Sequence, residues 1–280
     1  MVGSDPVAKD RWNAQAYDAA ASFVPKLTSA ILAELDVQHD DHILDIGCGD
    51  GQLTAQIAQT ASSGRVLGID SSPSFIDTAA KSFSAPNCTY VLHDARALDA
   101  CSDAMTGSWD KVFSNAALHW ILRDPTTRSA FFPNVYRALK PGGKLVFEMG
   151  GFGCIREVHA SMISSLVHAG LSSSEVQASS PWFFPSAEAM QKYLSDAGFR
   201  VKQCHLVYRP TELTPANEAG TGGLEGWVRL MCAEFLQAAP RGKRDQVVKE
   251  VCDILGPVIT KEDGTLWLNY VRLRAVAIKE

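Results

Sequence analysis

The run Ile43-Leu44-Asp45-Ile46-Gly47-Cys48-Gly49-Asp50-Gly51 decides the fold of this 280-residue chain. A short apolar stretch enters a glycine-rich turn, and after one helix length Val66-Leu67-Gly68-Ile69-Asp70 follows. Strand, glycine turn, helix and a second strand ending in an acid make the first βαβ unit of a parallel sheet. The glycines let backbone approach a ligand, and the helix start presents unpaired N–H groups to a negative one. Asp70 closes the second strand where a carboxylate accepts both hydroxyls of a ribose.

Working outward, strand and helix keep alternating. Gln52–Ala61 reads as a helix, and Ser71-Ser72-Pro73 caps another that runs to about Phe83. Thr89–His93 is a third strand closed by Asp94, and Lys111–Ser114 a fourth closed by Asn115. Asp124-Pro125 opens a helix through Leu139, Lys140-Pro141-Gly142-Gly143 stops it, and Lys144–Met149 is the fifth strand. Upstream, Pro25 and the apolar face of Leu27, Ile31, Leu32 and Leu35 predict a helix. Trp12 and Tyr17 sit in a shorter one, placed either to fold over a ligand or to pack the domain edge.

After Gly150-Gly151 the pattern changes. A helix near Ile155–Ala169, a Ser-rich linker over Leu171–Ser180 and a helix near Ser186–Ala197 lead to an edge strand, Phe199–Arg209. The closing strand Leu266–Ile278 pairs with it, and amphipathic helices fall around Gly226–Ala238 and Arg244–Val258. An insertion of about fifty residues is far more than a hairpin needs. The expected architecture is therefore α/β and Rossmann-like: a mostly parallel seven-stranded sheet with helices on both faces, plus a helical cap between the last two strands. Residues 1–40 form an N-terminal helical lid, 41–150 the core, and 151–280 its C-terminal part, with the cap at about 210–265.

Composition narrows the function. A hydrophobic content of 46% with 20% charged residues describes an ordinary globular protein. The net charge of −5 argues against a general nucleic-acid binder. The sequence offers no membrane-spanning apolar run and no signal core in Met1–Asp10. Seven scattered cysteines without a C-x-x-C pair read as reduced cytoplasmic thiols, with no metal site.

The glycine spacing selects the ligand. A dinucleotide site wants G-x-G-x-x-G beneath a pyrophosphate. Here Asp45 and Asp50 would repel a pyrophosphate but welcome an ammonium and a sulfonium, the charges of S-adenosylmethionine. An NAD-dependent oxidoreductase is disfavoured on the same ground.

With the glycine turn, Asp70, Asp94, Asn115-Ala116-Ala117-Leu118-His119-Trp120 and Leu139-Lys140-Pro141-Gly142-Gly143 together, the chain resembles class I S-adenosylmethionine-dependent methyltransferases. The Asn-Ala-x-x-x-Trp run is similar to that of the trans-aconitate methyltransferase group, and the likeness is faint after Gly151. The resemblance implies that Gly47, Cys48 and Gly49 line the methionine part of the cofactor, with Asp45 and Tyr17 beside it. It implies Asp70 at the ribose, Ser71 at the nucleoside, Asp94 at the adenine amino group with the Ala95 N–H at the ring nitrogen, and the Asn115 carbonyl at the ammonium. S-adenosylhomocysteine would be the product.

A sulfonium methyl group is already activated, so the protein chiefly supplies alignment. A carboxylate acceptor needs no base, whereas a hydroxyl, amine or thiol is helped by one. His119 is the catalytic candidate, with positioning beside Trp120 as the competing role. Trp120, Glu148, Trp182 and Trp227 are candidate acceptor-pocket residues, core burial being the alternative for the tryptophans. A polycarboxylate substrate, as the resemblance implies, demands fixed cations, for which Arg209, Arg229 and Arg272 are the candidates. The leading expectation is a carboxyl O-methyltransferase acting on a small molecule, with no nucleic-acid or membrane partner. Methylation of a hydroxyl, thiol or amine, or cofactor binding without methyl transfer, are the alternatives.

Overall fold

Period-two alternation builds the sheet. In β1 (His42–Ile46), Ile43 faces one layer while Leu44 and Ile46 face the other, and β2 (Arg65–Asp70) repeats this with Val66 against Leu67 and Ile69. The computed structural model describes residues 28–217 and 219–280, so the expected lid residues Trp12 and Tyr17 lie outside the described part.

Helix α1 (Ser29–Leu35) and α2 (Gln52–Thr60) pack Ile31, Leu35, Ile57 and Ala58 on one face of the sheet. Helix α3 (Pro73–Ser82), capped by the Ser72 hydroxyl, lies against β2 and β3 (Cys88–Leu92). After β4 (Trp109–Asn115) come the single turn α4 (Leu118–Ile121) and α5 (Pro125–Ala138). Helix α5 buries Phe131, Phe132 and Val135 on the opposite face. Strand β5 spans Leu139–Gly150, longer than Lys144–Met149, because Leu139 pairs with Trp109 ahead of a register irregularity.

Helices α6 (Arg156–His168), α7 (Ser173–Ala178) and α8 (Ala187–Asp196) lead to β6 (Phe199–Glu212). Helices α9 (Gly223–Met231), α10 (Ala233–Ala238) and α11 (Arg244–Ile259) then precede β7 (Trp267–Lys279). The strand order is β3-β2-β1-β4-β5-β7-β6, with β7 antiparallel to both of its neighbours.

Two expectations for the second half are corrected. The Ser-rich linker contains α7, because Ser172 and Glu175 close a reciprocal capping box around its first turn. The helix expected over Gly226–Ala238 breaks at Cys232 into α9 and α10. The helices between the last two strands also do not stand by themselves. Val158, Met162 and Leu166 of α6, Val176 of α7 and Trp182 join Trp227, Val228, Phe235, Val248 and Val251 in one hydrophobic core. This second core continues onto β7 through Leu268 and Tyr270.

Candidate functional site

The turn after β1 is shaped by two glycines with different duties. Gly47 has φ +75°, and a Cβ there would lie 2.2 Å from that of Ala117, so the β1 and β4 loops meet only because this residue lacks one. Gly49, at φ +57°, is the reverse: a Cβ would meet no atom within 4 Å, so the loop opens onto space. Beside that space the Asp70 carboxylate accepts from the Gly49 N–H at 3.0 Å and the Ser72 N–H at 2.9 Å. These bonds fix an acid at the carboxyl end of β2, and a carboxylate has acceptor sites beyond two N–H groups. The half-buried acid and the open glycine backbone fit a ribose-bearing ligand.

The neighbouring candidates are placed differently. Asp45 lies beneath the loop, 2% exposed, accepting from the Thr54 hydroxyl at 2.7 Å. Burial raises its pKa to about 7. Cys48 is buried, and burial, then the charge of Asp45, pushes its thiol well up. Asp94 caps the 3₁₀ turn Ala95–Ala100 through the Arg96 N–H at 3.0 Å and accepts from Arg96 Nε at 2.8 Å. Ala95 is buried and Ser71 exposed. Asn115 is half-buried at the end of β4. Ala116, with φ +57°, turns the chain into α4 and donates its N–H to the Glu148 carbonyl at 2.8 Å. A left-handed alanine is strained backbone, concentrated at the mouth of the site.

Next to this turn a cleft opens between the sheet and the second core. Trp120, Trp182, Phe184, Trp227 and Tyr270 supply most of its wall, with His119 and Arg272 as its ionisable members of note. Trp182-Phe183-Phe184 runs extended over α4, held by the Phe183 N–H on the His119 carbonyl at 2.9 Å. Its alternation sends Phe183 to the main core and Trp182 and Phe184 to the cleft, where those two rings stack 5.6 Å apart at 11°. The Trp227 indole N–H donates to the Tyr270 hydroxyl at 3.0 Å.

His119 is buried between Trp120 and Phe184. Its Nδ1 accepts from the Gly150 N–H at 3.3 Å. Burial, and secondarily the Arg272 guanidinium, hold its pKa well below the usual imidazole value. The ring is therefore neutral, and with Nδ1 accepting, its proton sits on Nε2.

Behind the cleft lies an ionic cluster. Glu148, 1% exposed, stands opposite Arg274 across the β5–β7 ladder and accepts from its Nε at 2.6 Å. Its other oxygen faces Arg209 at 2.8 Å. Arg272 is 3.9 Å from the same oxygen, and its guanidinium lies 4.5 Å over the Tyr270 ring. Burial and Arg272 lower the pKa of Arg209 while Glu148 opposes them. The cluster sits on one sheet face between Val146 and Val276 on one side and Tyr270 on the other, at the seam of the two cores.

The expected acceptor residues thus divide. Trp120, Trp182 and Trp227 converge on the cleft, whereas Glu148 and Arg209 face each other behind it. Arg229 does not converge; it pairs with Glu225 and Asp245 on the outer surface of α9. Phe184, Met231 and Tyr270 were not singled out, although the aromatic run at Trp182 and the Tyr270-x-Arg272-x-Arg274 alternation mark two of them. Among the described residues no cluster of histidines, cysteines and acids is placed to hold a metal, and no helix is long and apolar enough to cross a membrane.

Comparison with known proteins fits this geometry. Residues 43–143 match a methyltransferase domain family. An uncharacterized methyltransferase of Schizosaccharomyces pombe is 37% identical over 97% of this chain and 99% of its own. A trans-aconitate 2-methyltransferase of Escherichia coli is 30% identical over 49% of this chain and 50% of its own. A putative methyltransferase structure from Bacillus halodurans aligns over 91% of this chain and 99% of that one with a TM-score of 0.59, at 16% identity. The chain belongs to the S-adenosylmethionine-dependent methyltransferases.

Proposed function

We propose that this enzyme transfers a methyl group from S-adenosylmethionine to a carboxylate oxygen of a small molecule. The observation that carries this reading is the Gly150 N–H on His119 Nδ1, which assigns the ring proton to Nε2. With Nδ1 so occupied, the imidazole offers the cleft an N–H donor and no free lone pair. No described residue lining the cleft is an acid, and burial raises the pKa of the Cys154 thiol there. A site without a base suits an acceptor already nucleophilic at neutral pH, and a carboxylate is that acceptor.

In this reading Asp70 holds the ribose hydroxyls, and the open backbone at Gly49 admits the methionine portion. Asn115 and the strained Ala116 border the reacting centre. Asp94, already bonded to Arg96, is the candidate for the adenine amino group. When bound, the cofactor supplies a methyl group on a sulfonium: the carbon–oxygen bond forms as the carbon–sulfur bond breaks, sulfur keeps the electron pair, and no proton moves. The His119 N–H and Arg272 orient the acceptor, and the aromatic wall excludes water, which strengthens both contacts. The half-length match to trans-aconitate 2-methyltransferase supports a carboxylate.

The test is product chemistry. With methyl-labelled S-adenosylmethionine and a panel of carboxylic acids, phenols, amines and thiols, the label should enter a base-labile methyl ester that releases methanol. Label in a base-stable ether, amine or thioether would overturn the assignment.

A further inference from the structure

Among the described residues the cleft has a wall of rings and one cation, a combination that does not suit a polycarboxylate. Trp182 and Phe184 stack 5.6 Å apart, Trp120 meets Trp182 edge-on at 5.7 Å, and Trp227 and Met231 close the far side. Trp227 has already spent its N–H on Tyr270. Such a surface receives a flat apolar body.

The cations behind it are unequal. Arg274 and Arg209 hold the two oxygens of Glu148 at 2.6 Å and 2.8 Å. Arg272 is left with a 3.9 Å approach to the same acid, yet it is the guanidinium that lines the cleft. It is 3% exposed, and among the described residues its Nε has no hydrogen-bond partner. An arginine cannot shed its charge, so a buried and under-bonded one is costly until an anion meets it. Among the described residues Arg272 is the one guanidinium that lines the cleft, enough for one carboxylate.

We propose that the acceptor is a flat, apolar acid with a single carboxylate, its body against Trp120, Trp182 and Phe184 and its charge on Arg272. This rests on the carboxylate reading above and departs from a tricarboxylate such as trans-aconitate. Among the described lining residues, two further carboxylates would meet the aromatic wall and no second guanidinium.

The experiment is calorimetric binding to the full chain saturated with S-adenosylhomocysteine, with trans-cinnamate, its neutral amide and trans-aconitate as probes. Methyl-ester formation is assayed in parallel. Cinnamate should bind at least about tenfold more tightly than either competitor, and Arg272→Gln should erase its advantage over the amide. The wild-type ratios decide the matter even where Arg272→Gln fails to fold. Tighter binding of trans-aconitate, or equal binding of acid and amide, would overturn the proposal while leaving carboxyl methylation intact. The expected preference without any methyl ester would uphold the pocket class and remove the methyl-transfer reading instead.

Discussion

The two ends of the proposed site, the turn after β1 and the cleft beside it, are made in different ways. The cofactor end is built from backbone: loops after β1, β2 and β4 that follow one another along the chain, with Gly47, Gly49 and Asp70 within 24 positions. The acceptor end is built from side chains on α4, α9, β7 and two connecting segments, between His119 and Arg272. The first reuses a spacing that the parallel sheet imposes, so substitutions there should act locally and on one ligand. The second is a seam between two cores, where site and stability share residues.

The strongest way to break that contrast is Glu148→Gln. Removing the Glu148 charge leaves Arg209 and Arg274 without the carboxylate that meets them both, and the loss should be about 3–5 kcal/mol in denaturant unfolding. A loss under about 1 kcal/mol would mean that the seam does not depend on its ion cluster.

Asp45 sets the next largest effect, and it lies in the other half. Its pKa rises from 3.8 to about 7 on folding. The folded state therefore holds a proton that the unfolded chain has released, and stability should fall as pH climbs from about 4 to 7. At about 1.36 kcal/mol per unit, the swing is at most about 4 kcal/mol. Asp45→Asn should flatten this slope in unfolding curves taken at several pH values; an unchanged slope would place its origin elsewhere.

Asp70→Ala should weaken S-adenosylhomocysteine by tenfold or more, since charge-assisted bonds are worth about 1.5–3 kcal/mol. Cinnamate binding should hardly change. Calorimetry on both ligands checks this, and equal losses for the two would dissolve the distinction between the ends. A smaller effect is expected at Asp94→Ala, about 1 kcal/mol of stability from the lost cap. If the carboxylate also meets adenine, cofactor affinity drops with it, whereas unchanged affinity assigns Asp94 to capping alone.

The last test has an expected effect near zero. His119 is held neutral, so the single-turnover rate should stay flat from pH 6 to 8. A rate that collapses below pH 6.5 in the wild type, and a flat, slow His119→Ala profile, would restore a base.

What the sequence made legible follows the same division. The β1–α2–β2 unit, the acids closing strands and the size of the β6–β7 insertion can be read because spacing and periodicity are local properties. The placement of Glu148 against Arg209 cannot, because it depends on β7 entering between β5 and β6, a fact of topology rather than pattern. Helix α7 lay within reach: Ser172 followed three residues later by Glu175 is a helix-start signature, outweighed by serines that read as linker. Arg272 was legible only as one cation of three. Its separation from Arg209 and Arg229 needed their partners in space.

The sheet order also governs how the molecule comes into being. Strand β6 is synthesised before β7, yet β7 is its hydrogen-bonded neighbour in the finished sheet. Until β7 emerges, β6 has no place to pair, and Glu148 lacks Arg272 and Arg274. A nascent chain can assemble the proposed nucleoside-binding end from residues through Asn115 while the other end waits, its strand edges open to stray pairing. Strand β7 acts as a keystone, and a ribosome stalled before it would leave the proposed cofactor end without the acceptor end beside it.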